Sequence, residues 1–335
     1  MTDSAWGTLS NQAVAAAAVV YFLALLAHVV EWSSLRQVDR SQILVGSGGA
    51  EASDPIEPPT APEVEQQRVR VAMFGRLALL LTAVAAAVHL VALVARGMSA
   101  DPNRVPWGNM YEFTLAGTFV VAALYLVMSR RYALDWLGPV VVTFVLALLM
   151  VAVVWLYDPT GPLPEALDSY WLVIHVVSAI TATGAFTLGG MTSVAYLLKR
   201  RRGADAPQTG LWARVPSLEK LDLISYRIHA FAFPIWTFAV LITGPIWAHQ
   251  AWSSYWNWDP KEVWAFITWV VYAAYLHART TAGWRGRNAA ILALVGTLTL
   301  WFNFIGINYF SSSSQHSYAG APAFVEPTFV EPTSG

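Results

Sequence analysis

The side chains best suited to metal ligation in this sequence are seven histidines, because the chain contains no cysteine. Neutral imidazole is the usual protein ligand for haem iron and a common ligand for other transition metals. Without cysteine the chain has no disulfide, no thiolate metal site, no CxxC redox pair and no thioether bond of its own to a cofactor. Any thiol chemistry in which it takes part must use the thiols of a partner.

A second group of chemically suggestive residues lies between Trp247 and Trp269, where six tryptophans occur within 23 residues. Trp and Tyr also form belts at membrane interfaces. A belt, however, spreads its aromatics over many helix ends and does not require Asp259, Lys261 and Glu262 in the same segment. Indole faces can stack on a flat macrocycle such as a porphyrin, and a cation can face its carboxylates. The segment therefore predicts a platform for a flat, mostly apolar ligand.

The same segment has the pattern of a helix start at Asp259-Pro260-Lys261-Glu262. Proline suits the first helical turn, aspartate is a favourable N-cap, and glutamate at the third helical position can complete a capping box. Capping and direct contact with a ligand are two open interpretations for both acidic residues.

The composition indicates that most of the chain lies within a membrane. Apolar residues make up 56% of the 335 residues and charged residues 12%, with a mean hydropathy of +0.48, whereas charged residues make up about 25% of soluble domains. A spanning helix needs about 20 apolar residues, and the alternation of a β-barrel is absent from this sequence. We predict an all-α, polytopic membrane bundle of about eight spans: 14–32, 71–95, 111–128, 134–157, 170–198, 224–248, 263–278 and 289–309.

The distribution of basic residues predicts an N-out/C-out orientation, because loops rich in Lys and Arg stay on the inner side. One set of alternate connections has fifteen basic residues and the other has three. This segregation also speaks against nucleic-acid binding. The inner set is Arg36, Arg40, Arg68, Arg70, Arg130, Arg131, Lys199, Arg200, Arg201, Arg202, Arg214, Lys220, Arg279, Arg285 and Arg287, and the outer set is Arg96, Arg104 and Lys261.

This topology separates the histidines into classes. His175 lies about five residues inside the outer end of span five, and His316 lies about seven residues beyond span eight in the outer tail, so both can meet at the outer surface. His277 lies near the inner end of span seven, roughly 20 Å from its outer end at 1.5 Å per residue, and belongs to a different site. We interpret the remaining four as structural residues of the bundle interior: His28, His89, His229 and His249.

The chain divides into three parts by these criteria. Residues 1–104 hold two N-terminal spans and, at about 46–67, an inner loop rich in Gly, Pro and acidic residues that predicts disorder. Residues 105–320 hold the candidate chemistry, and residues 321–335 form an outer C-terminal tail.

The stretch Trp252-Ser-Ser-Tyr-Trp-Asn-Trp-Asp-Pro-Lys-Glu-Val-Trp264, followed by Tyr275-Leu-His277-Ala-Arg279, resembles the tryptophan-rich WWD signature of haem-handling proteins of c-type cytochrome biogenesis. Within that group the chain is most similar to the system II family called CcsA, ResC or CcsB. The resemblance covers roughly residues 105 to 320 and includes Gly108-Asn-Met-Tyr-Glu112. The chain departs from the family at Ser253, where Gly is frequent, and at Ser314-Gln315, where a Gly-Leu pair is frequent.

The resemblance implies a function in cytochrome c maturation at the cell membrane. The chain is expected to take haem b to the outer face of the plasma or inner membrane, hold it under the Trp-rich loop and deliver it for thioether attachment to the CxxCH motif of an apocytochrome c. By position, His175 and His316 are implied as the outer axial ligands and His277 as an intramembrane ligand of haem iron. The residues expected around the haem are Trp252, Trp256, Trp258, Asp259, Lys261, Glu262 and Trp264.

The family also implies partners. These are a ResB/Ccs1-type membrane subunit, the apocytochrome c, a thioredoxin-like thiol reductant and membrane lipid, with no nucleic acid. The chain is expected to act as part of a holocytochrome c synthase (haem lyase) complex, and no residue of its own is assigned as catalytic. Three alternatives remain open: a haem permease or exporter without attachment activity, a system I haem-delivery protein, and a purely structural membrane subunit.

Overall fold

The computed structural model describes residues 2–46, 61–161, 167–203, 211–311 and 314, and these residues form helices and connecting turns without any strand. Two helical turns are π-helical, and we label them π1 (Phe238–Thr243) and π2 (Phe302–Gly306). A 3-10 turn covers Asp135–Leu137. The α-helices are α1 (Asp3–Gly46), α2 (Ala61–Met98), α3 (Met110–Tyr132), α4 (Gly138–Trp155), α5 (Tyr170–Arg201), α6 (Leu211–Arg214), α7 (Leu218–Thr237), α8 (Gly244–Trp252), α9 (Pro260–Thr280), α10 (Arg287–Trp301) and α11 (Ile307–Phe310).

Seven helical stretches within the described residues are long and apolar enough to cross a membrane, and they coincide with predicted spans one to six and eight. Helix α9 is the predicted span seven and has 21 residues. Its composition is less apolar, because Lys261 and Glu262 begin it and Arg279 ends it. It buries one face, which includes Tyr272, inside the bundle. The predicted all-α, multi-pass bundle is confirmed, while its N-out/C-out orientation stays a prediction.

The N-terminal hairpin of α1 and α2 packs through small residues spaced seven positions apart. Small side chains let two helices approach closely in lipid, and a seven-residue spacing keeps them on one helix face. The Ser10 hydroxyl donates to the Ala92 carbonyl across this contact at 2.9 Å. The fully buried small residues are Ser10, Ala17 and Ala24 on α1 and Ala78, Ala85 and Ala92 on α2.

Helix α2 begins at Ala61, inside the stretch 46–67 that the sequence predicts as a disordered loop. The prediction is wrong for residues 61–67, because Ala, Glu and Gln favour helix and Pro62 suits a first turn. The acidic Glu63 also lies in that first turn, where it interacts favourably with the helix dipole. Residues 47–60 of the predicted loop lie outside the described residues.

Helix α5 is the central helix and contacts α3, α7, α8 and α10. Two glycines allow this close packing. A β-carbon at Gly189 would lie 2.5 Å from Cε1 of His229 on α7, and one at Gly190 would lie 2.7 Å from the Thr297 hydroxyl on α10. The two glycines therefore let α7 and α10 pack closely against α5. His175 lies in the second turn of this central helix.

Candidate functional site

A cavity of about 150 Å³ lies where α3, α5 and α9 begin. Aromatic and aliphatic side chains form most of its wall, and a few polar groups face into it. This combination is typical of sites that hold a mostly apolar small molecule in a defined orientation. Its lining includes Trp107, Phe113, His175, Trp236, Trp247, Trp256, Lys261, Glu262, Asn303, Phe304 and Asn308.

Among the described residues that line this cavity, the half-buried His175 is the one histidine. Ser169 caps α5 by accepting the Trp171 N–H, which fixes the start of the helix six residues before His175. The imidazole Nδ1 lies 3.0 Å from the Ala239 carbonyl oxygen. The Trp247 indole stacks on the ring, with the two centroids 5.9 Å apart. The ring is therefore held on one edge and on one face.

A bare metal ion has little support at this place. Within the described residues no group of three or more His, Cys, Asp or Glu side chains could hold one. Haem iron is different, because the porphyrin supplies four nitrogen ligands and the protein needs to add only one or two imidazoles. His175, beside several indole faces, could supply one such imidazole.

The predicted cap of α9 is confirmed. Asp259 Oδ1 accepts the Lys261 N–H at 2.9 Å, and the Glu262 carboxylate reaches back to the Asp259 N–H at 3.2 Å, which completes a capping box. Glu262 Oε2 also accepts the Asn257 N–H at 2.9 Å. Glu262 therefore ties down the residues on both sides of Trp258, whose φ of 56° is in the left-handed region.

The five tryptophans from Trp252 to Trp269 do not form one flat platform. Trp256 lines the cavity. Trp252 packs against Trp247 at 4.9 Å between centroids, and Trp264 packs against Phe302 at 4.2 Å. Trp258 is 75% exposed. Trp256 thus contributes directly to the cavity, while Trp252 and Trp264 support neighbouring aromatic residues.

Lys261 brings positive charge to the cavity. Its Nζ donates to Oδ1 of Asn308 at 3.0 Å, and Asn308 in turn donates to the Phe304 carbonyl. Lys261 precedes the span predicted over 263–278. Burial lowers its pKa from the usual 10.5 to about 8, and the nearby Asp259 opposes this shift. The ammonium group is therefore charged at neutral pH but close to its titration range.

His277 lies far from this cavity. It is exposed near the other end of α9, sixteen residues after Lys261, which corresponds to about 24 Å along the helix. Its Nδ1 lies 3.2 Å from the Thr281 hydroxyl. His277 and the cavity therefore lie near opposite ends of α9, and a second site at His277 stays a prediction.

His316 lies outside the described residues, but the chain just before it contacts the candidate site. The Ser314 hydroxyl lies 2.8 Å and 3.0 Å from the two carboxylate oxygens of Asp259. Asp259 is buried. The capping residue of α9 thus also binds the segment that follows α11.

The remaining four histidines all have neighbours within the fold. His28 Nδ1 lies 3.2 Å from Glu31, which also pairs with Arg214 on α6. His229 Nδ1 lies 2.7 Å from the Ser225 carbonyl. The other two contact aromatic rings. His89 lies edge-on to Tyr21 and Phe119, and His249 stacks on Tyr255. The predicted interior position is wrong for His249, which is exposed at the end of α8.

Sequence reasoning did not place Trp236 and Phe304 at the site, although both line the cavity. Trp236 is buried beside Pro234 in α7, and its indole N–H donates to the Ala265 carbonyl. No local signal distinguishes this tryptophan from other apolar residues of a span. Asn303, which the sequence marks as a polar residue in span eight, lies in π2 and faces the cavity.

Comparisons with known proteins give a consistent result. A family model described as "Cytochrome C assembly protein" matches residues 107–314. The "Cytochrome c biogenesis protein CcsA" of Mesostigma viride is 31% identical over 271 residues, which is 73% of this chain and 86% of that protein. The protein of the same name from Chlamydomonas reinhardtii is 36% identical over 223 residues, and the match spans 64% of this chain and 60% of the alga's longer protein.

A solved structure also resembles this chain. The "Cytochrome c Heme Lyase CcmF" aligns with a TM-score of 0.57 and 17% sequence identity, over 92% of this chain and 49% of that protein. At this identity the similarity concerns the fold alone. The arrangement of helices is therefore shared with a protein about twice as long.

Proposed function

Because the chain belongs to the cytochrome c assembly protein family, we propose that it is the membrane component of a system II cytochrome c synthase. In this proposal it takes haem to the outer face of the cell membrane, holds it, and delivers it for attachment to a CxxCH apocytochrome c. The observation that carries the proposal is the meeting of His175, several indoles and Lys261 at one cavity. Relatives named as cytochrome c biogenesis proteins support the same purpose.

The cavity offers one group for each part of a haem molecule. His175 is the proposed ligand to the iron. The faces of Trp107 and Trp256 are suited to the apolar ring, and Lys261 to the propionate carboxylates. His175 and Lys261 come from α5 and α9, and Trp107 and Trp256 from the segments just before α3 and α9, so the bundle fixes their relative positions before the haem arrives. Such prior positioning lowers the entropic cost of orienting a reactant.

The second proposed ligand is His316. Since only Gln315 separates Ser314 from His316 in the sequence, a fixed Ser314 limits how far His316 can reach from Asp259. The Asp259–Ser314 contact supports a role for the C-terminal segment at the same site. The two histidines would then bind the iron from opposite faces.

The attachment step needs thiols that this chain does not have. In each thioether bond a cysteine sulfur of the apocytochrome bonds to one carbon of a haem vinyl group, and the thiol proton ends on the other carbon. The addition leaves no leaving group and needs no external oxidant. The contribution of this chain is to hold the haem with its vinyl edge accessible, while the CxxCH histidine replaces one of the two axial ligands.

His277 marks a second, intramembrane haem position in this proposal. Its side chain is exposed on α9 near the end opposite the cavity. A ligand on an exposed face can be shared with another subunit, which fits a ResB/Ccs1-type partner that supplies the opposite axial ligand. Haem would be passed from this position to the outer cavity before attachment.

The proposal is tested by co-expressing the chain with a ResB-type partner and a CxxCH reporter, and measuring covalent haem on the reporter. We expect His175→Gly to abolish the product and added imidazole to restore part of it, with a matching change in the haem absorption spectrum. His249→Gly is the control, because His249 is exposed and does not itself line the cavity, although the Tyr255 ring on which it stacks does. Haem that binds to the wild type but never becomes covalent would favour the permease. An unchanged haem spectrum in His175→Gly would overturn the ligand assignment.

A further inference from the structure

The π-helical turn π1 makes an unusual contact with His175. In a π turn a carbonyl accepts the N–H five residues later, and Ala239 accepts the Gly244 N–H in this way. The same Ala239 carbonyl oxygen lies 3.1 Å from the Thr243 hydroxyl and 3.0 Å from His175 Nδ1. One backbone oxygen therefore accepts the Gly244 N–H and also faces the Thr243 hydroxyl and the imidazole nitrogen.

The sequence explains why the turn widens here. Pro245 follows Thr243-Gly244 and has no N–H, so it cannot donate to the Leu241 carbonyl, and its ring would clash with that carbonyl in a regular α-helix. A wider turn relieves the clash by changing the hydrogen-bond register. The Thr243 hydroxyl supports the turn, since it also lies 3.2 Å from the Phe238 carbonyl oxygen.

The residues that follow π1 complete the surroundings of the imidazole. A β-carbon at Gly244 would lie 3.2 Å from Cε1 and 3.3 Å from Nδ1 of His175, and 3.0 Å from the Ala239 oxygen. Glycine thus lets the backbone approach the ring closely. Trp247, one turn later, stacks on the ring with an interplanar angle of 14°. An oxygen, a glycine and an indole from one short stretch all contact His175.

We infer that π1 fixes His175 as the Nδ1–H tautomer and that Thr243 and Gly244 are positioning residues for it. A carbonyl oxygen has no proton to give, so the nitrogen that faces it at 3.0 Å must carry the hydrogen. In this tautomer the other nitrogen, Nε2, is the one that carries the lone pair, and a lone pair is what binds a metal ion. Metal-bound histidines commonly donate their second N–H to a carbonyl, which fixes the ring and makes it a better ligand. That the metal bound by Nε2 is haem iron rests on the proposed function. The tautomer is inferred from the contact with Ala239 and does not depend on that function.

The tautomer is measured directly by nitrogen NMR. The full chain is labelled with ¹⁵N-histidine, reconstituted in lipid bilayers and recorded without haem, and His175→Gln identifies the His175 signals by their loss. We expect a protonated Nδ1 and an unprotonated Nε2 at neutral pH. A protonated Nε2, or an equal mixture of the two tautomers, would overturn the inference.

Variants then test the positioning residues. Gly244→Ala is expected to displace the ring from Ala239 and to split the His175 signals between two tautomers. The matched control is Gly117→Ala on α3, because a β-carbon at Gly117 meets no atom within 4 Å. If Gly244→Ala yields no folded protein, Thr243→Val, which lacks the hydroxyl, is compared with Thr243→Ser, which keeps it. We expect a second set of His175 signals with Val and wild-type signals with Ser. Wild-type signals in both Gly244→Ala and Thr243→Val would contradict the role of π1.

The same samples separate this inference from the proposed function. A single Nδ1–H tautomer in a chain that never binds haem would support the role of π1 and count against haem as the ligand. Haem ligation by His175 with the opposite tautomer in the haem-free chain would support the function and reject the inference.

Discussion

The indole of Trp247 lies almost parallel to the imidazole of His175, at 14° between the planes and 5.9 Å between the centroids. Trp247 is almost fully buried and packs edge-on against Trp252. The orientation of the His175 ring is therefore determined by α8 as much as by α5, which carries it. If His175 is the haem ligand that we propose, this contact would also help to orient the haem.

We expect Trp247→Leu to weaken haem retention by about three- to tenfold. An aromatic pair contributes about 0.5–1.5 kcal/mol beyond the area that it buries, and the looser ring would also bind iron less well. The measurement is the haem-to-protein ratio after purification in detergent. Trp155→Leu at the end of α4 is the control, since this indole is 76% exposed and does not line the cavity. Equal losses in the two variants would show that Trp247 has no special relationship to the haem.

A second prediction concerns Ser314, whose hydroxyl donates to the Asp259 carboxylate. A hydrogen bond to a charged group contributes about 1.5–3 kcal/mol. We expect Ser314→Ala to weaken the attachment of the C-terminal segment and to reduce the six-coordinate fraction of bound haem, read from the absorption spectrum. The cap of α9 remains in this variant, so the helix content stays unchanged. Ser33→Ala, at an exposed serine of α1, should leave the spectrum as in the wild type.

How far the sequence predicted the site depended on the range of the interactions. The cap at Asp259, Pro260 and Glu262 is local, because all of its hydrogen bonds join residues within a few positions, and the structure confirms it. The spans follow from composition in the same way. Helix α2 begins earlier than predicted. The prolines and glycines of the stretch 46–67 dominate its composition and hide the helix-forming residues that follow Ala61.

The remaining features depend on contacts between distant segments. Trp236 reaches the cavity only through the packing of α7, and the Ala239 carbonyl meets His175 across 64 positions. The π turn follows from Pro245 in retrospect, but the sequence alone does not distinguish a π turn from a kink. The described tryptophans between Trp252 and Trp269 likewise do not form the expected flat platform. The direction of each indole depends on its packing against residues from other segments, which the local sequence does not show.

Lys261 gives a pH dependence with a definite sign. Its pKa, lowered to about 8 by burial, means that the ammonium group loses its charge as the pH rises through about 8. We expect affinity for the carboxylates of haem to be full below this value and to fall above it. Lys261→Arg keeps the charge at all these pH values and should remove the fall, while Lys261→Met should bind weakly throughout. Haem titrations between about pH 6 and pH 10 measure this change in affinity. An identical fall in Lys261→Arg would assign the effect to another group.

The last prediction concerns the buried Glu112, which binds two arginines at the start of α3. Its carboxylate accepts from Arg96 Nε at 2.9 Å and from Arg104 Nη1 at 2.8 Å. It also accepts the Gly108 N–H at 2.8 Å, and so holds the turn that carries Trp107 to the cavity. This network joins α2, the turn between α2 and α3, and α3.

We expect Glu112→Gln to destabilise the protein by about 3–5 kcal/mol, the range found when one partner of a buried ion pair is removed and the other charge remains. The neutral amide would leave the buried guanidinium group of Arg96 and the partly buried one of Arg104 with no compensating charge in this network. The measurement is the midpoint of thermal unfolding in detergent, and Glu219→Gln, at an exposed position in the first turn of α7, is the control. Haem retention should fall together with stability, because the turn with Trp107 loses its anchor. A stable Glu112→Gln variant that still loses haem would instead indicate that the charge of Glu112 acts on the site directly.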